Sequence, residues 1–167
     1  MVSKQVAVVG GGAAGFFSAL SVKQHHPNYR VILFEKSSKL LTKVKISGGG
    51  RCNITHHSED INALCKAYPR GGKKLKSIFY QFSNIDTQNW FENRGVPLKT
   101  ENDGRMFPVS NQSESVIKCL ISECQSSGVE IQVNHDVSGI ENIVDKWKLN
   151  FSKTQSMTFD YVIITTG

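Results

Sequence analysis

The 167-residue sequence contains no long apolar segment. No run of apolar residues approaches the 18 or so that a membrane-spanning helix needs. Near the N-terminus, the apolar run Val6–Val9 is too short to be the hydrophobic region of a secretory signal peptide. We therefore expect no membrane partner and a cytoplasmic location.

Cysteine is scarce, and its spacing excludes two kinds of site. The four cysteines form no Cys-x-x-Cys pair and no zinc-ligand pattern, so we expect no metal site and a reducing compartment. A flavin disulfide reductase would need a second thiol a few residues from Cys52, but Cys65 is thirteen residues further on. We interpret Cys52 as a small residue in a tight loop. Cys119 and Cys124 are expected to be buried thiols of an amphipathic helix.

A convincing general acid or base is also absent. The five histidines fall in predicted helix ends and loops, so none is expected to be catalytic and the catalytic residues stay unassigned: His25, His26, His56, His57 and His135.

Acidic residues are rare in one basic segment. Residues 36–76 hold ten Lys or Arg against Glu59 and Asp60, whereas the whole chain carries a net charge of +6. Such a segment can meet nucleic acid, the phosphates of a dinucleotide, or only solvent. No aromatic-rich RNA motif or helix-turn-helix pattern accompanies it, which makes nucleic acid the less favoured partner.

What the sequence does contain begins with a short apolar strand, Val6–Val9. The motif Gly10-x-Gly12-x-x-Gly15 follows directly and opens a stretch with apolar residues at helical spacing (Ala13, Phe17 and Leu20). In such a motif the first glycine makes the turn, the second lets the backbone approach a pyrophosphate, and the third lets the helix pack on the strand. The pyrophosphate would lie at the positive N-terminal end of the helix.

A second apolar strand, Arg30–Phe34, ends in Glu35, twenty residues after Gly15. An acidic residue at this distance accepts hydrogen bonds from a ribose 2′-hydroxyl but repels a 2′-phosphate. The pattern therefore favours the adenosine of FAD or NAD over that of NADP.

A second glycine-rich stretch, Ser47–Thr55, contains three consecutive glycines. Such a run disfavours helix and strand, so its use is a sharp bend or a close approach to a ligand. Arg51 offers a planar fork for phosphate or carboxylate, and Asn53 and Thr55 offer directional hydrogen bonds. A flexible loop with a surface arginine is the alternative.

Further elements are predicted downstream. The first are a helix with Leu75, Ile78, Phe79 and Phe82 on one face, a helix over 85–94, and a hairpin of 96–99 with 105–108 around Asp103-Gly104. A further helix begins with a capping box of Asn111 and Glu114 and ends at Gly128. Strands follow over 129–133, 137–143 and 147–151, and a buried parallel strand lies within 159–164.

Five segments (10–15, 34–36, 46–55, 68–73 and 104–110) together resemble the HI0933-like flavoproteins, NAD(P)/FAD-dependent oxidoreductases of the glutathione-reductase-like FAD superfamily. The resemblance implies an α/β fold: a Rossmann-like FAD-binding domain with a parallel sheet, crossover helices and an antiparallel β-meander. It implies that residues 1–167 form a partial FAD domain, with a helical and hairpin excursion at about 56–110. The substrate domain and the C-terminal return of longer members are then absent.

The resemblance also assigns an FAD site. It implies pyrophosphate contacts for Gly10, Gly12, Ala13, Ala14 and Gly15, and contact with the adenosine ribose for Glu35. The ribityl and flavin side is implied for Lys36, Lys43, Ser47, Gly49, Gly50, Arg51, Cys52 and Asn53. The adenine edge is implied for Val137, and the final turn of the site for Thr166 and Gly167.

The expected function is flavin-dependent redox chemistry. Hydride would pass through flavin N5 in the complete protein, with NADH or NADPH as a candidate reductant, while the 167-residue chain alone is expected to be inactive. Related flavoproteins are described as amine oxidases and as oxo-steroid reductases, so the small-molecule substrate stays open. Two alternatives remain: a non-catalytic dinucleotide-binding module, and an RNA-modifying flavoprotein. An incomplete sheet would leave an exposed edge, so self-association is also expected.

Overall fold

A computed structural model of the chain describes residues 3–68 and 70–167. The chain divides into two compact units. The first unit comprises the chain up to Lys43 together with Leu120–Gly167, and the second comprises Val44–Cys119.

The first unit contains a parallel sheet of four strands, which confirms the predicted α/β class. Its spatial order is β10-β1-β2-β6, with β1 at Gln5–Val9, β2 at Arg30–Phe34, β6 at Val129–Gln132 and β10 at Tyr161–Ile164. Val8 pairs with Leu33 on one side and with Ile163 on the other. Four successive residues of β1 and four of β2 are buried, as expected for central strands covered on both faces.

The helix α1, Ala13–His25, follows β1 as predicted, but its buried face differs from the prediction. Gly15, Phe16 and Ala19 are buried, whereas Ala13 is exposed. The helix is turned so that Gly15, which has no side chain, meets the backbone of Gly10. Contact with the strand therefore decided the buried face, because the apolar residues of α1 are too evenly spread to indicate it.

Helix α6, Ser113–Ser126, begins later than predicted. The capping box of Asn111 and Glu114 is wrong, because the helix starts two residues after Asn111, and Asn111 has a φ of 53° instead of the extended backbone of an N-cap. The C-terminal half is as predicted: Cys124 is buried, its thiol lies 3.8 Å from the carbonyl oxygen of Phe16, and Gly128 has a positive φ after the helix.

An antiparallel meander covers one part of the parallel sheet. Its strands are β7 at Val137–Ile143, β8 at Lys146–Phe151 and β9 at Met157–Phe159. Phe34 of the sheet packs against Phe151 and Phe159, at ring-centroid distances of 5.0 and 5.7 Å. The predicted strands over 137–143 and 147–151 are confirmed, but Phe159 belongs to β9.

The last strand, β10, is therefore shorter and less buried than predicted. Tyr161 and Ile164 are exposed, because β10 lies at the edge of the sheet and, among the strands of the described residues, pairs only with β1. The turn before it is tied to β1: the N–H of Gln5 donates to Asp160 Oδ2 at 2.8 Å, and the N–H of Asp160 donates to the carbonyl oxygen of Gln5 at 2.9 Å.

The second unit contains a small antiparallel sheet with short helices. The sheet has the order β3-β5-β4, with β3 at Thr55–His56, β4 at Leu98–Thr100 and β5 at Arg105–Pro108, so the predicted hairpin is confirmed. The helices are α2 at Thr42–Ile46, which crosses the boundary with the first unit, α3 at Ile61–Lys66, α4 at Gly72–Phe79 and α5 at Asn84–Glu92.

Two local features of this unit were not predicted. A capping box does occur, but at Ser83 and Asp86 at the start of α5. Helix α4 ends at Phe79, so its predicted apolar face is not continuous: Ile78 and Phe82 are exposed. Within the described residues, no helix is both long and apolar enough to cross a bilayer.

Candidate dinucleotide-binding site

The motif glycines form a tight connection between β1 and α1 in the first unit. Gly10 has a φ of +119°, and its N–H donates to the carbonyl oxygen of Phe34 at 2.8 Å. A Cβ atom at Gly15 would lie only 1.9 Å from the carbonyl oxygen of Gly10. The third glycine therefore permits a backbone contact between helix and strand that no other residue would allow.

Gly12 differs from its neighbours because it faces open space. It is the N-cap of α1 with extended backbone, and an added Cβ would meet nothing within 4 Å. The N–H groups of the first helical turn have no partner inside a helix, and the helix dipole favours negative charge at this end. Ala13 and Ala14, in that first turn, are exposed. The arrangement can accept an anionic group without displacing any side chain.

Glu35 lies at the end of β2 and is held by the backbone of the glycine loop. Its Oε2 accepts the N–H of Gly11 at 2.9 Å, and its Oε1 accepts both the N–H and the hydroxyl of Ser37 at 2.9 Å. Burial raises the pKa of the Glu35 carboxyl, but the hydrogen bonds from Ser37 and Gly11 outweigh it and the net pKa is lowered. Glu35 is therefore anionic at neutral pH and retains lone pairs for further donors.

Ser37 was missed in the sequence, although a hydroxyl two residues after an acid is a recognisable local hydrogen-bonding pattern. The connection from β6 to β7 runs beside it: the N–H of Asn134 donates to the Ser37 carbonyl oxygen, and the N–H of His135 donates to that of Glu35. Val137, predicted to meet adenine, is half-buried two residues further on and begins β7. Lys36 is exposed beside Glu35.

The end of β10 meets the start of the glycine loop. The hydroxyl of Thr165 donates to the carbonyl oxygen of Val9 at 2.9 Å and also lies 3.2 Å from that of Gly10. The resemblance assigns a site role to the two residues after Thr165 in the same turn, whereas Thr165 is the residue whose side chain contacts the loop. A Cβ at Gly167 would lie 2.8 Å from Nζ of Lys43. The fold therefore brings together two predicted site residues that are far apart in the sequence.

The other predicted site residues belong to the second unit, in the loop after α2. A short 3-10 turn, Ser47–Gly50, has positive φ at each of its three glycines, and Cys52 also has a φ of 61°. A Cβ at Gly48 would lie 2.8 Å from a ring carbon of Phe107, whereas nothing lies within 4 Å of one at Gly49. Gly48 is thus required for packing, while Gly49 faces open space.

Cys52 closes this loop and is buried. Its N–H donates to the carbonyl oxygen of Ser47 at 2.9 Å. Burial raises the pKa of its thiol, although a hydrogen bond with Ser47 partly offsets the effect. A neutral, buried thiol is a poor nucleophile, which supports the interpretation of Cys52 as a small loop residue.

Arg51 is bound to residues of its own unit. Its guanidinium lies 3.9 Å from the ring centroid of Phe107, and its Nη1 pairs with Glu101 Oε1 at 2.5 Å. The guanidinium of Arg51 therefore pairs with the carboxylate of Glu101, which lies fifty residues further along the chain. Asn53 also supports the loop, since its side-chain amide, in the orientation that satisfies its neighbours, donates to the carbonyl oxygens of Thr55 and Met106.

No group of three or more metal-ligating side chains is present among residues 3–68 and 70–167. Each unit therefore has its own candidate site, a glycine-rich loop. The loop of the first unit combines a helix N-terminus with an anionic carboxylate, and that of the second unit is a tight turn that exposes backbone at Gly49.

Known proteins match this chain over part of their own length. The chain is 26% identical over 164 residues to a ribosomal RNA dihydrouridine synthase of Haemophilus influenzae, which covers 96% of this chain and 39% of the relative. It is 25% identical over 137 residues to a 3-dehydro-bile acid delta(4,6)-reductase of Clostridium scindens, covering 82% of this chain and 32% of the relative. The chain thus spans about two-fifths or less of the length of these relatives.

Solved structures share the fold at low sequence identity. A flavocytochrome c3 fumarate reductase in its open conformation matches 99% of this chain and 34% of its own, with a TM-score of 0.72 and 20% identity. The THI4 protein of Thermovibrio ammonificans matches 99% of this chain and 58% of its own, with a TM-score of 0.62 and 12% identity. The family described as HI0933-like protein Rossmann domain matches residues 4–167, and the chain therefore belongs to the HI0933-like family.

Proposed function

We propose that this chain is the FAD-binding part of a flavin-dependent oxidoreductase. The observation that carries the proposal is the pairing of an open helix N-terminus at Gly12 with the anionic carboxylate of Glu35 at the end of the next strand. A pyrophosphate and a ribose hydroxyl, which are adjacent parts of one dinucleotide, need these two features together.

The residues of the first unit fit the adenosine diphosphate half of FAD. Gly12 leaves room for a phosphate, the first turn of α1 supplies N–H donors, and Glu35 can accept hydrogen bonds from ribose. Thr165 and Gly15 hold this loop against the strands but leave its open side free. When bound, FAD would supply hydride transfer at flavin N5, with NADH or NADPH as the candidate reductant.

The second glycine loop presents its backbone in a tight turn. Gly48 to Gly50 have positive φ, and Arg51, the next residue, contacts Phe107 and Glu101. We propose that the exposed backbone at Gly49 and Gly50 meets the ribityl and flavin side of the cofactor. The remaining proposed contacts are Ala13, Ala14, Lys36, Lys43, Ser47, Cys52, Asn53, Val137, Thr166 and Gly167.

A charge-specific variant tests this function without unfolding the chain. Gly12→Asp places a carboxylate in the open space at the N-cap, where Asp stabilises a helix. At roughly 6 Å and an effective dielectric of about 20, repulsion of one phosphate costs about 3 kcal/mol, or roughly a 100-fold loss of FAD affinity. Gly12→Asn is the matched neutral control, because it caps equally well.

The measurement is a fluorescence titration with FAD, together with the visible absorption spectrum of the purified chain. We expect the parent chain to bind FAD most tightly and Gly12→Asn more weakly, because its side chain occupies part of the space left for the phosphate. Gly12→Asp should bind about 100-fold more weakly than Gly12→Asn, which is the effect of the charge alone. Equal affinity of the Asp and Asn variants would place the phosphates elsewhere. A parent chain that takes up no FAD would contradict the proposal that this chain is the FAD-binding part.

Turnover separates the enzyme from a non-catalytic dinucleotide-binding module. In the complete protein, flavin that is reduced by NADH or NADPH would favour the enzyme, whereas bound but unreduced flavin would favour the module. Three further expectations stay predictions: a single partial FAD domain over 1–167 with an excursion at about 56–110, a cytoplasmic location, and self-association through the outer strands β6 and β10. Light scattering at micromolar concentration tests the last.

A second candidate function is RNA modification by a flavoprotein. It is favoured by relatives in Haemophilus influenzae and Escherichia coli named ribosomal RNA dihydrouridine synthase, the latter 27% identical over 160 residues. The basic segment 36–76 supplies the charge that RNA binding requires. A steep fall of RNA affinity with salt would support this candidate over a small-molecule substrate.

A further inference from the structure

The region around α4 carries positive charge without any acid of its own. Residues 61–85 contain five Lys or Arg and no Asp or Glu. Three of the cations, Lys73, Lys74 and Lys76, lie within α4, in or next to its first turn. Cations are disfavoured near a helix N-terminus because they oppose the helix dipole. The chain thus places its charge where the helix itself does not favour it.

Two arginines elsewhere in the second unit are used differently. Arg51 pairs with Glu101, and Arg105 lies 2.7 Å from Asp103 and 3.9 Å from Glu101. Lys73 and Lys74, in contrast, are exposed, and within the described part of the chain neither lies within ion-pair distance of a carboxylate. Their charge is therefore available to an external anion.

Helical geometry puts a tyrosine in line with these cations. Residues three and four apart share a face of a helix, so Lys73 and Lys76 of α4 form one row with Tyr80, the helical C-cap residue that follows it. Tyr80 is 66% exposed and Ile78, on the adjacent row, is 55% exposed. We define the α4 surface as Lys73, Lys74, Lys76, Ile78 and Tyr80.

The opposite side of α4 is already covered. A Cβ at Gly72 would lie 2.4 Å from the carbonyl oxygen of Cys65, so α4 packs closely on α3. The ring of Phe79 lies 5.5 Å from that of Tyr68. An interfacial membrane helix needs a broad apolar face to insert. On α4, Phe79 packs against Tyr68, so the exposed apolar surface of the helix is narrow and centred on Ile78. The α4 surface presents cations with an aromatic ring instead.

We propose that the α4 surface binds a single-stranded stretch of RNA. The lysines contact phosphates, and a base stacks on Tyr80, the combination by which proteins hold single strands without reading sequence. This inference rests on the second candidate function, for which it names the docking surface.

The experiment measures binding of the full chain to a fluorescein-labelled uridine oligoribonucleotide of about 12 nucleotides by fluorescence anisotropy. The test variant is Lys73→Gln with Lys74→Gln. The control is Lys118→Gln with Lys153→Gln, which removes the same charge from exposed lysines elsewhere. Tyr80→Ala and Tyr80→Phe separate stacking from fold.

Each phosphate contact on a single strand contributes about −0.7 to the slope of log affinity against log salt. The test variant should therefore lower that slope by about 1.4 and weaken binding about 20-fold at roughly 0.1 M salt. Tyr80→Ala should cost about tenfold, whereas Tyr80→Phe and the control pair change little.

Equal losses in the test and control pairs would overturn the proposal, since net charge alone would then explain binding. An unchanged affinity of Tyr80→Ala would overturn the stacking role. Tighter binding to anionic phospholipid vesicles than to RNA, lost in the test variant, would assign the surface to membranes instead. RNA binding is measured without FAD. If the FAD proposal fails, the RNA-binding result can therefore still be interpreted independently.

Discussion

The contact between Gly15 and Gly10 gives the sharpest stability prediction. In Gly15→Ala, the new Cβ would lie 1.9 Å from the Gly10 carbonyl oxygen and 3.0 Å from Thr165 Oγ1. Cβ contacts under 3.0 Å essentially never occur, so α1 must move by more than 1 Å. Movement is resisted because the loop is bonded to β2 through Phe34 and Glu35.

The magnitude follows from two opposing effects. Overpacking against a backbone atom costs about 3 kcal/mol, at the upper end of the usual range. Alanine in place of glycine inside a helix returns about 1 kcal/mol. The net loss is about 2 kcal/mol, or a fall in melting temperature of about 4–8 °C for a chain of this size.

Tryptophan fluorescence can assign the loss to the correct unit. Trp147 lies on β8 in the first unit and Trp90 on α5 in the second, so urea unfolding of a Trp90→Phe background reports on the first unit alone. Gly12→Ala is the matched control, since its Cβ meets nothing within 4 Å. Its effect is limited to the N-cap of α1, where Ala is less favourable than Gly. If Gly15→Ala unfolds at the same urea concentration as the control, the close contact does not stabilise this unit.

Three further predictions concern individual side chains. Glu101→Gln should weaken the charge-assisted contact to Arg51 and speed proteolysis within the 47–53 loop, measured against the parent chain; unchanged cleavage would argue against bracing by this pair. The lowered pKa of Glu35 stabilises the fold above the ordinary carboxyl pKa of about 4.3, and the stabilisation disappears as pH falls through the lower folded value. The stability difference between the parent and Glu35→Gln should therefore shrink on acidification, and a difference independent of pH would refute this. Iodoacetamide at pH 8 should label Cys65 before Cys124, because burial raises the pKa of the Cys124 thiol to about 12, and mass spectrometry reads the order directly.

Local patterns predicted the elements that depend on near neighbours. The strand, glycine turn and helix at the N-terminus need only adjacent residues, so their order was recognisable and the structure confirms it. The hairpin around Asp103-Gly104 was recognisable for the same reason, since Gly104 supplies the positive φ of the turn. The short strand β9 was missed because its three residues carry too little alternation to stand out.

Errors arose where distant residues decide. The Asn111 capping box matched a local pattern, but Ser113 begins the helix, and its hydroxyl donates to the carbonyl oxygen of Lys45, 68 residues earlier. The final strand was predicted to be buried, although β10 lies at an edge, because an apolar run does not say whether a strand has one neighbour or two.

By itself, the sequence determined the class of fold, the position of the first glycine motif and the acid that follows β2, because these depend on short-range periodicity and spacing. Only the tertiary structure decided that Gly15 meets Gly10, that Thr165 holds the glycine loop, and that Arg51 pairs with Glu101. Contacts of this kind join residues that are far apart in the chain. Spacing cannot encode them, because their distances are set only when strands and helices have packed.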